Sequence, residues 1–270
     1  MYTVNPIKYL TILYRNKFLI KQLVLRDISS RYQGTYFGLL WVVLDPLIML
    51  AVYTFVFRVV FHRHWYTEDE SLVEFGLIIF SGLLVFNLFR ETITNAPRLI
   101  VRNSTYIKKV VFPLEILSCV SILAGCFHLC ISILVFFFIY LFVADQLYIT
   151  IIYIPVILFP LLIILLGASY LLSSLGVYLR DIGQFINMVV MSFLFLSAIF
   201  YPIESVPEKY QVIFYLNPIA FTVEQFRRVA IFGIYPDWYW LLFYYAICFA
   251  VGWLGFYLFQ KTRKGFVDVL

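Results

Sequence analysis

Apolar residues in this chain do not alternate with polar ones; they come in long runs separated by short polar punctuation. Six runs stand out, at residues 36–61, 72–89, 116–143, 149–175, 185–201 and 238–259. A helix needs about 20 residues to cross ~30 Å of hydrocarbon. Only helices and closed barrels satisfy their backbone there, and runs of this length without a two-residue period point to helices. The pattern predicts an all-α integral membrane protein with six transmembrane helices. The fifth run is short and the third and fourth are long, which predicts tilt or local distortion.

The segments between the runs carry their own patterns. In residues 1–35, hydrophobic blocks at 12–13, 18–20 and 23–25 alternate with Lys8, Arg15, Lys17, Lys21, Arg26 and Arg31. This predicts an amphipathic interface helix lying on the membrane surface with its basic heads near lipid phosphates, and with room for a partner protein. Residues 90–113, RETITNAPRLIVRNSTYIKKVVFP, hold more charge than a turn requires. A helical turn is expected at 96–101, with Pro97 in its first turn, and Lys108 and Lys109 would anchor the next span at the interface. This segment is read as a docking loop. The fourth run contains Pro155 and Pro160, then Gly167, Ala168, Ser169, Ser173, Ser174 and Gly176. The prolines predict a kink, and the Ser169/Ser173 spacing predicts close approach of another helix.

Residues 201–233, YPIESVPEKYQVIFYLNPIAFTVEQFRRVAIFG, are too apolar for a free loop and too broken by proline for a span. Two short helices are expected. One covers about 206–216; the other starts after Asn217 as cap, has Pro218 at its first position and ends at Gly233. Ile219, Val223, Phe226 and Ala230 fall on one face of the second, with Glu224, Arg227 and Arg228 elsewhere on its surface. The segment reads as a re-entrant hairpin beside a cavity, since irregular backbone at membrane depth needs such cover.

One residue breaks the lipid-like pattern from within. In RDISSRYQGTYFGLLWVVLDPL, residues 26–47, an Asp-Pro pair interrupts the first run. At ~1.5 Å per residue Asp45 lies ~14 Å beyond Tyr36, near mid-bilayer. A carboxylate there is costly against lipid, so it is expected to face a helix seam or a watery path, with Pro46 loosening the helix beside it.

Composition sharpens the class. Of 270 residues, 63% are hydrophobic, 20% aromatic and 13% charged. A soluble domain carries roughly a quarter charged residues. The net charge of +5 matters less than its placement. Lys and Arg before span 1, between spans 2 and 3, between spans 4 and 5, and after span 6 number 6, 5, 1 and 3, hence 15 of the 20. The other side has Arg58, Arg63, Lys209, Arg227 and Arg228. The positive-inside rule then puts both termini in the cytoplasm. No cleavable signal peptide is expected, because the first run starts behind a long basic segment.

Candidate chemistry is sparse. Cys126 and Cys130 share a helix face, but a metal would need more ligands, and with Cys119 and Cys248 they read as small packing residues. His62 and His64 lie near Glu68, Asp69 and Glu70, which read as a solvated interfacial loop in preference to a metal site. His128 stands alone in span 3 and reads as a satisfied core histidine. There is no GxxxxGK[ST], so nucleotide phosphates are not cradled that way. Asp45 is the only acid well inside a predicted span, Glu74 and Glu115 being near span ends, which argues against proton-driven transport. No nucleophile, base and orienting group come together, and the 68–70 acids alone do not make a membrane-embedded transferase.

Four stretches carry a resemblance: RYQGTYFGLLWVVLDPL at 31–47, YIKKVVFP at 106–113, YLRDIGQF at 178–185 and the whole of 201–233. Together they resemble the permease subunits of bacterial polysaccharide ABC exporters, a group that includes Wzm-type O-antigen, capsule and teichoic acid exporters. The resemblance implies a six-helix transmembrane domain at 36–270 behind the 1–35 segment, with a coupling loop at 90–113 and an outer gate hairpin of two re-entrant helices at 201–233. It implies a homodimer in the bacterial inner membrane, bound to two copies of a separate ATP-binding subunit. That partner would use the ATP and Mg, with no cofactor on this chain and no role for nucleic acid. The cargo implied is a lipid-linked polysaccharide, typically on undecaprenyl diphosphate; a small lipid or drug is the alternative. By position, Arg98, Val101, Arg102 and Asn103 would dock on the ATPase beside Arg26 and Arg31. Tyr201, Pro202, Asn217, Pro218, Glu224, Phe226, Arg227 and Arg228 would belong to the gate. Such sequences often have Asn where Asp45 stands. Aromatic rings suit the apolar faces of sugars, and Tyr53, Phe80, Phe86, Tyr170 and Phe193 are expected beside Asp45 on the substrate path.

Overall fold

The computed structural model describes residues 6–62, 65, 71–104, 112–143 and 147–269. Lys108, Lys109, Arg63, His64, Glu68, Asp69 and Glu70 lie outside the described residues. Among the described residues every regular element is helical. Helices α1 (Pro6–Arg15) and α2 (Lys17–Tyr32) precede α3 (Trp41–Thr54), which continues as a π-helix over Phe55–Val60. Helix α4 (Leu72–Asn95) runs through a 3₁₀ turn, Ala96–Arg98, into the short α5 (Leu99–Arg102). Then come α6 (Glu115–Val143), α7 (Ile154–Tyr178) and α8 (Ile182–Leu196). The last elements are α9 (Glu208–Tyr215), α10 (Pro218–Ala230), α11 (Trp238–Thr262) and α12 (Phe266–Val269).

Five stretches are long and apolar enough to cross a membrane: Trp41–Val60, Leu72–Arg102, Glu115–Val143, Ile149–Tyr178 and Trp238–Gly265. The predicted fifth span appears as α8, whose 15 residues fall short of that length. At ~1.5 Å per residue, α8 reaches only ~22 Å, less than the ~30 Å of hydrocarbon.

Helix α4 is the centre of the molecule. Its start is fixed by a capping box, in which Ser71 Oγ accepts from the Glu74 N–H and Glu74 accepts from the Ser71 N–H. From Phe75 to Phe86 every residue is buried, against α3, α6, α8 and α10. Such burial removes apolar surface that lipid would otherwise solvate, so packing and not hydrophobicity selects these contacts.

Glycine sets the closest helix pair. A Cβ on Gly255 of α11 would fall 2.1 Å from the Gly167 carbonyl oxygen of α7, and one on Gly167 would fall 2.5 Å from the Gly252 Cα. Backbones thus touch where Gly167 meets Gly252 and Gly255. Ser169 and Ser173, expected to mark such a contact, are buried in the same helix. Pro155 sits in the first turn of α7, where its missing N–H costs nothing, and the helix continues through Pro160.

The N-terminal helices are docked rather than loose. Ile20 and Leu23 of α2 pack on Ile116 and Val120 of α6. Tyr9 of α1 meets Phe256 of α11, and its hydroxyl lies 2.9 Å from that of Tyr170 in α7.

Candidate functional site

Three surfaces gather the residues singled out from the sequence. The first is the open flank of α3 and α8. Only 17% of the apolar window of α3 is buried, against 72% for α4. Asp45 is exposed on α3, in the same helix as exposed Ile48, Met49 and Val52, while Pro46 is buried. Helix α8 exposes Phe185, Met188, Met191 and Phe195 together with polar Asn187 and Ser192. Tyr53 is half-buried with its ring 5.1 Å from that of Phe200, and Phe193 is half-buried with its ring 5.5 Å from that of Phe89.

Three aromatics expected on that path are elsewhere. Phe80, Phe86 and Tyr170 are 1%, 3% and 1% exposed, so no ring face is open to a passing molecule. Phe80 packs near Phe136, Phe86 near Phe89, and Tyr170 among Tyr9, Phe256 and Phe259, where its hydroxyl donates to the Glu115 carbonyl at 2.7 Å. These three are packing residues of the chain's own core. In a uniformly apolar run such as α4, nothing in the sequence separates a core face from a lining face.

The second surface is the 201–233 hairpin. Asn217 caps α10: its Oδ1 accepts from the Ile219 N–H at 2.9 Å and the Ala220 N–H at 3.4 Å. Its Nδ2 donates to the Leu196 carbonyl at 2.8 Å and to Ser197 Oγ at 3.1 Å, tying the cap to the end of α8. Pro218 takes the first helical position and Gly233 ends the segment at φ +64°. Tyr201 and Pro202 are half-buried, and the Tyr201 hydroxyl donates to the Phe195 carbonyl.

Arg227 corrects the expectation that it lies on the hairpin's surface. It is 1% exposed and its guanidinium is saturated. Nε donates to the Ile78 carbonyl at 3.3 Å and Ser81 Oγ at 3.2 Å, Nη1 to the Ala198 carbonyl at 2.9 Å, and Nη2 to the Ile78 and Ile199 carbonyls at 3.2 and 2.9 Å. Its other face stacks on Trp65, 4.4 Å from the ring centre. Ala198 has a left-handed φ of 50°, an uncommon state for a residue with a Cβ, in the turn whose carbonyls meet the guanidinium. Phe226 is fully buried near Phe136. Helix α10 is therefore part of the core, while α9 buries only Phe214. Glu224 is half-buried, and burial pushes its carboxyl up despite the nearby Arg227 and Arg228. Arg228 Nη2 lies 3.5 Å from the Tyr235 carbonyl.

The third surface is at the opposite end, around α2 and α5. Arg98, Val101, Arg102 and Arg26 are exposed, and the half-buried Asn103 donates to the Leu99 carbonyl at 2.8 Å. Below them Ile100 is buried, and a Cβ on Gly176 would come within 1.8 Å of the Pro97 carbonyl. The turn is thus seated directly on α7. Arg31 is not free for docking as a bare cation: its Nη1 is 2.6 Å from Glu91 Oε1 and its Nη2 3.4 Å from Asp27 Oδ2. Glu91 Oε2 in turn lies 3.0 Å from His128 Nδ1, so His128 has company that its place in span 3 concealed. Glu91 escaped the sequence reading because the predicted span stopped at 89, whereas α4 runs to Asn95. Glu115 is buried at the foot of α6, paired with Arg263 and accepting from Gln260 Nε2 at 3.0 Å.

Among the described residues no group of three or more His, Cys, Asp or Glu is placed to hold a metal. Such a molecule is a membrane-embedded helical subunit organised by packing and buried polar staples, with its open surfaces at a flank and at one basic end. A profile of the ABC-2 type transporter family matches residues 18–231, and the chain belongs to that family. The O-antigen export system permease protein RfbA of Klebsiella pneumoniae is 24% identical over 246 residues, 91% of this chain and 92% of that protein. RfbA of Myxococcus xanthus is 21% identical over 258 residues, covering 95% and 96%. The polysialic acid transport protein KpsM of Escherichia coli is 23% identical over 219 residues, covering 80% and 83%.

Proposed function

We propose that this chain is the permease of an ATP-driven exporter that moves a lipid-linked polysaccharide of O-antigen type, carried on undecaprenyl diphosphate, across the bacterial inner membrane. The observation that supports this most is the near full-length similarity to two RfbA permeases, which leaves neither chain a large unmatched part. Two copies of the chain would enclose the path, with two copies of a separate ATP-binding subunit below. The positive-inside distribution supports cytoplasmic termini.

In this reading ATP and Mg stay on the partner, whose closure pushes on Arg98, Val101, Arg102 and Asn103 and on α2. The close seating of Gly176 on Pro97 supports a stiff relay from that turn into α7. Asp45 and the half-buried Tyr53 and Phe193 would line the seam that opens. At the far end α10 is anchored by Arg227, so α9 and the Tyr201–Pro202 segment of the hairpin would form the moving gate. The likeness to KpsM supports capsular polysaccharide as the second cargo.

One experiment tests the reading: deletion of the gene followed by chemical analysis of lipid-linked glycan in the inner membrane. Accumulation of a polymer bearing repeating O-antigen units on a polyprenyl diphosphate is expected, with surface O-antigen lost. A glycerolipid-linked capsule polymer would move the cargo to the second reading. Normal surface glycan with no accumulated intermediate would overturn both.

A further inference from the structure

We infer that Glu91 is a positioning residue that joins the N-terminal helix α2 to the exposed basic turn at 96–102, so that the two docking elements move as one body. This rests on the proposed coupling role of those elements. The geometry is a three-helix junction. One carboxylate oxygen of Glu91, on α4, faces Arg31 of α2 at 2.6 Å, and the other faces His128 of α6 at 3.0 Å. Tyr32 Oη, also on α2, lies 3.1 Å from His128 Nε2. An ionised carboxylate can only accept, so Nδ1–H donates to Glu91 even with Arg31 Nη1 at 3.4 Å from the same nitrogen, and neutral His128 then leaves Nε2 to accept from the Tyr32 hydroxyl. Gly125, one turn before His128, lies beside the junction, where an added Cβ would stand 3.0 Å from Leu88 and in ordinary contact with Glu91.

The position of the junction gives it leverage. Glu91 lies five residues before Ala96 on a helix that passes without interruption into the Ala96–Arg98 turn and α5. At ~1.5 Å per residue the lever arm is only ~8 Å of continuous helix. Apolar packing on Ile116 and Val120 holds the middle of α2, Ile28 is buried one turn before Tyr32, and this cluster ties down the last turn. Burying paired charges contributes little net stability compared with apolar residues of the same shape, so a charged junction here gains direction more than strength. The side chains of Arg31, Glu91 and His128 are 28%, 17% and 16% exposed, dry enough for the pairing to persist at ordinary salt.

The test uses the whole complex of this chain with its ATP-binding subunit, reconstituted in liposomes with the accumulated glycan. Glycan exported per ATP hydrolysed is read beside the melting temperature of the complex. In Glu91→Gln this ratio is expected to fall about fivefold or more, while ATP hydrolysis stays within about twofold of wild type, as for loss of a coupling contact. Arg31→Cys with Glu91→Cys, bridged by a short bis-maleimide in a background lacking the four native cysteines, is expected to restore the ratio. His128→Gln, which keeps a donor toward Glu91, is the milder variant and should lower the ratio less. An unchanged ratio in Glu91→Gln overturns the inference. So does parallel loss of hydrolysis, export and melting temperature, which would mark Glu91 as a fold residue only. A wild-type complex that hydrolyses ATP but exports no glycan overturns the functional reading instead, and the inference with it.

Discussion

Arg227 carries the largest single energetic stake in the chain. Truncating it to Ala leaves the carbonyls of Ile78, Ala198 and Ile199 and the Ser81 hydroxyl without that donor in a buried site. Arg227→Ala is expected to destabilise clearly, each buried acceptor left unsatisfied costing about 1–3 kcal/mol, read as a lowered thermal midpoint in detergent. Arg227→Lys should fall between, because a point ammonium cannot serve acceptors arranged for a planar fork. Glu224 allows a pH test on the same helix. Burial raises its folded pKa above the unfolded value, so the folded state holds the proton more tightly. Its contribution to stability is therefore present below the unfolded pKa and is lost as pH rises through the folded one. Glu224→Gln should flatten that dependence and raise the melting temperature near neutral pH, measured across about pH 4 to 8. At this scale, legibility followed local chemistry. The capping and turn roles of Asn217, Pro218 and Gly233 act on neighbouring backbone and were readable from it, whereas the tie from Asn217 to Leu196 and Ser197 was not. Arg227 and Glu91 act on partners up to 149 residues away, which no local pattern contains.

Among the elements, α7 carries the clearest constraint. Gly176→Ala would place a methyl where the Pro97 carbonyl already stands, 1.8 Å from the ideal Cβ. The helix and the turn must separate, at an expected cost of about 1–3 kcal/mol, visible as a lower melting temperature. If the turn relays force, export per ATP should drop more than stability does, while Ser174→Ala, two residues away with its hydroxyl on the Tyr170 carbonyl, should leave the ratio near wild type. The helices themselves were largely readable, because lipid demands long apolar runs and because proline, asparagine and glycine punctuate 201–233. The brevity of α8 was visible as the short fifth run, but its cause, the buried Ser197–Phe200 turn that meets Arg227, was not. The encasement of α4 was invisible for another reason: core, lipid and pore faces of a membrane helix are all apolar, so Phe80 and Phe86 look the same in any of the three.

For the whole molecule, the proposed pairing of two copies requires one flank to meet lipid and another to meet the second copy. Helices α3 and α11 are both little covered, with 17% and 22% of their apolar windows buried. Composition separates them. The exposed face of α11 presents Tyr239, Trp240, Leu242, Phe243, Phe249 and Trp253, apolar side chains with aromatic tips suited to a bilayer. The exposed face of α3 presents Asp45 with Ile48, Met49 and Val52. The span begins at Trp41, so Asp45 stands only ~6 Å into it and not at mid-bilayer as counting from Tyr36 implies. A carboxylate inside a span is still costly against lipid, and no comparable charge sits on α11 until Lys261. If two copies enclose the path as proposed, this asymmetry favours the α3 side for the seam between them. Single cysteines in a cysteine-free background test this in native membranes. Met49→Cys and Val52→Cys are expected to form inter-subunit cross-links with a short bis-maleimide, and Leu242→Cys and Phe249→Cys are expected to form none. Asp45→Leu should strengthen the seam while slowing export, since it removes the charge that lipid would not tolerate but a watery path would. Efficient cross-linking through Phe249→Cys with none through Met49→Cys would put the seam on α11 and leave Asp45 facing lipid, a placement its charge makes physically expensive.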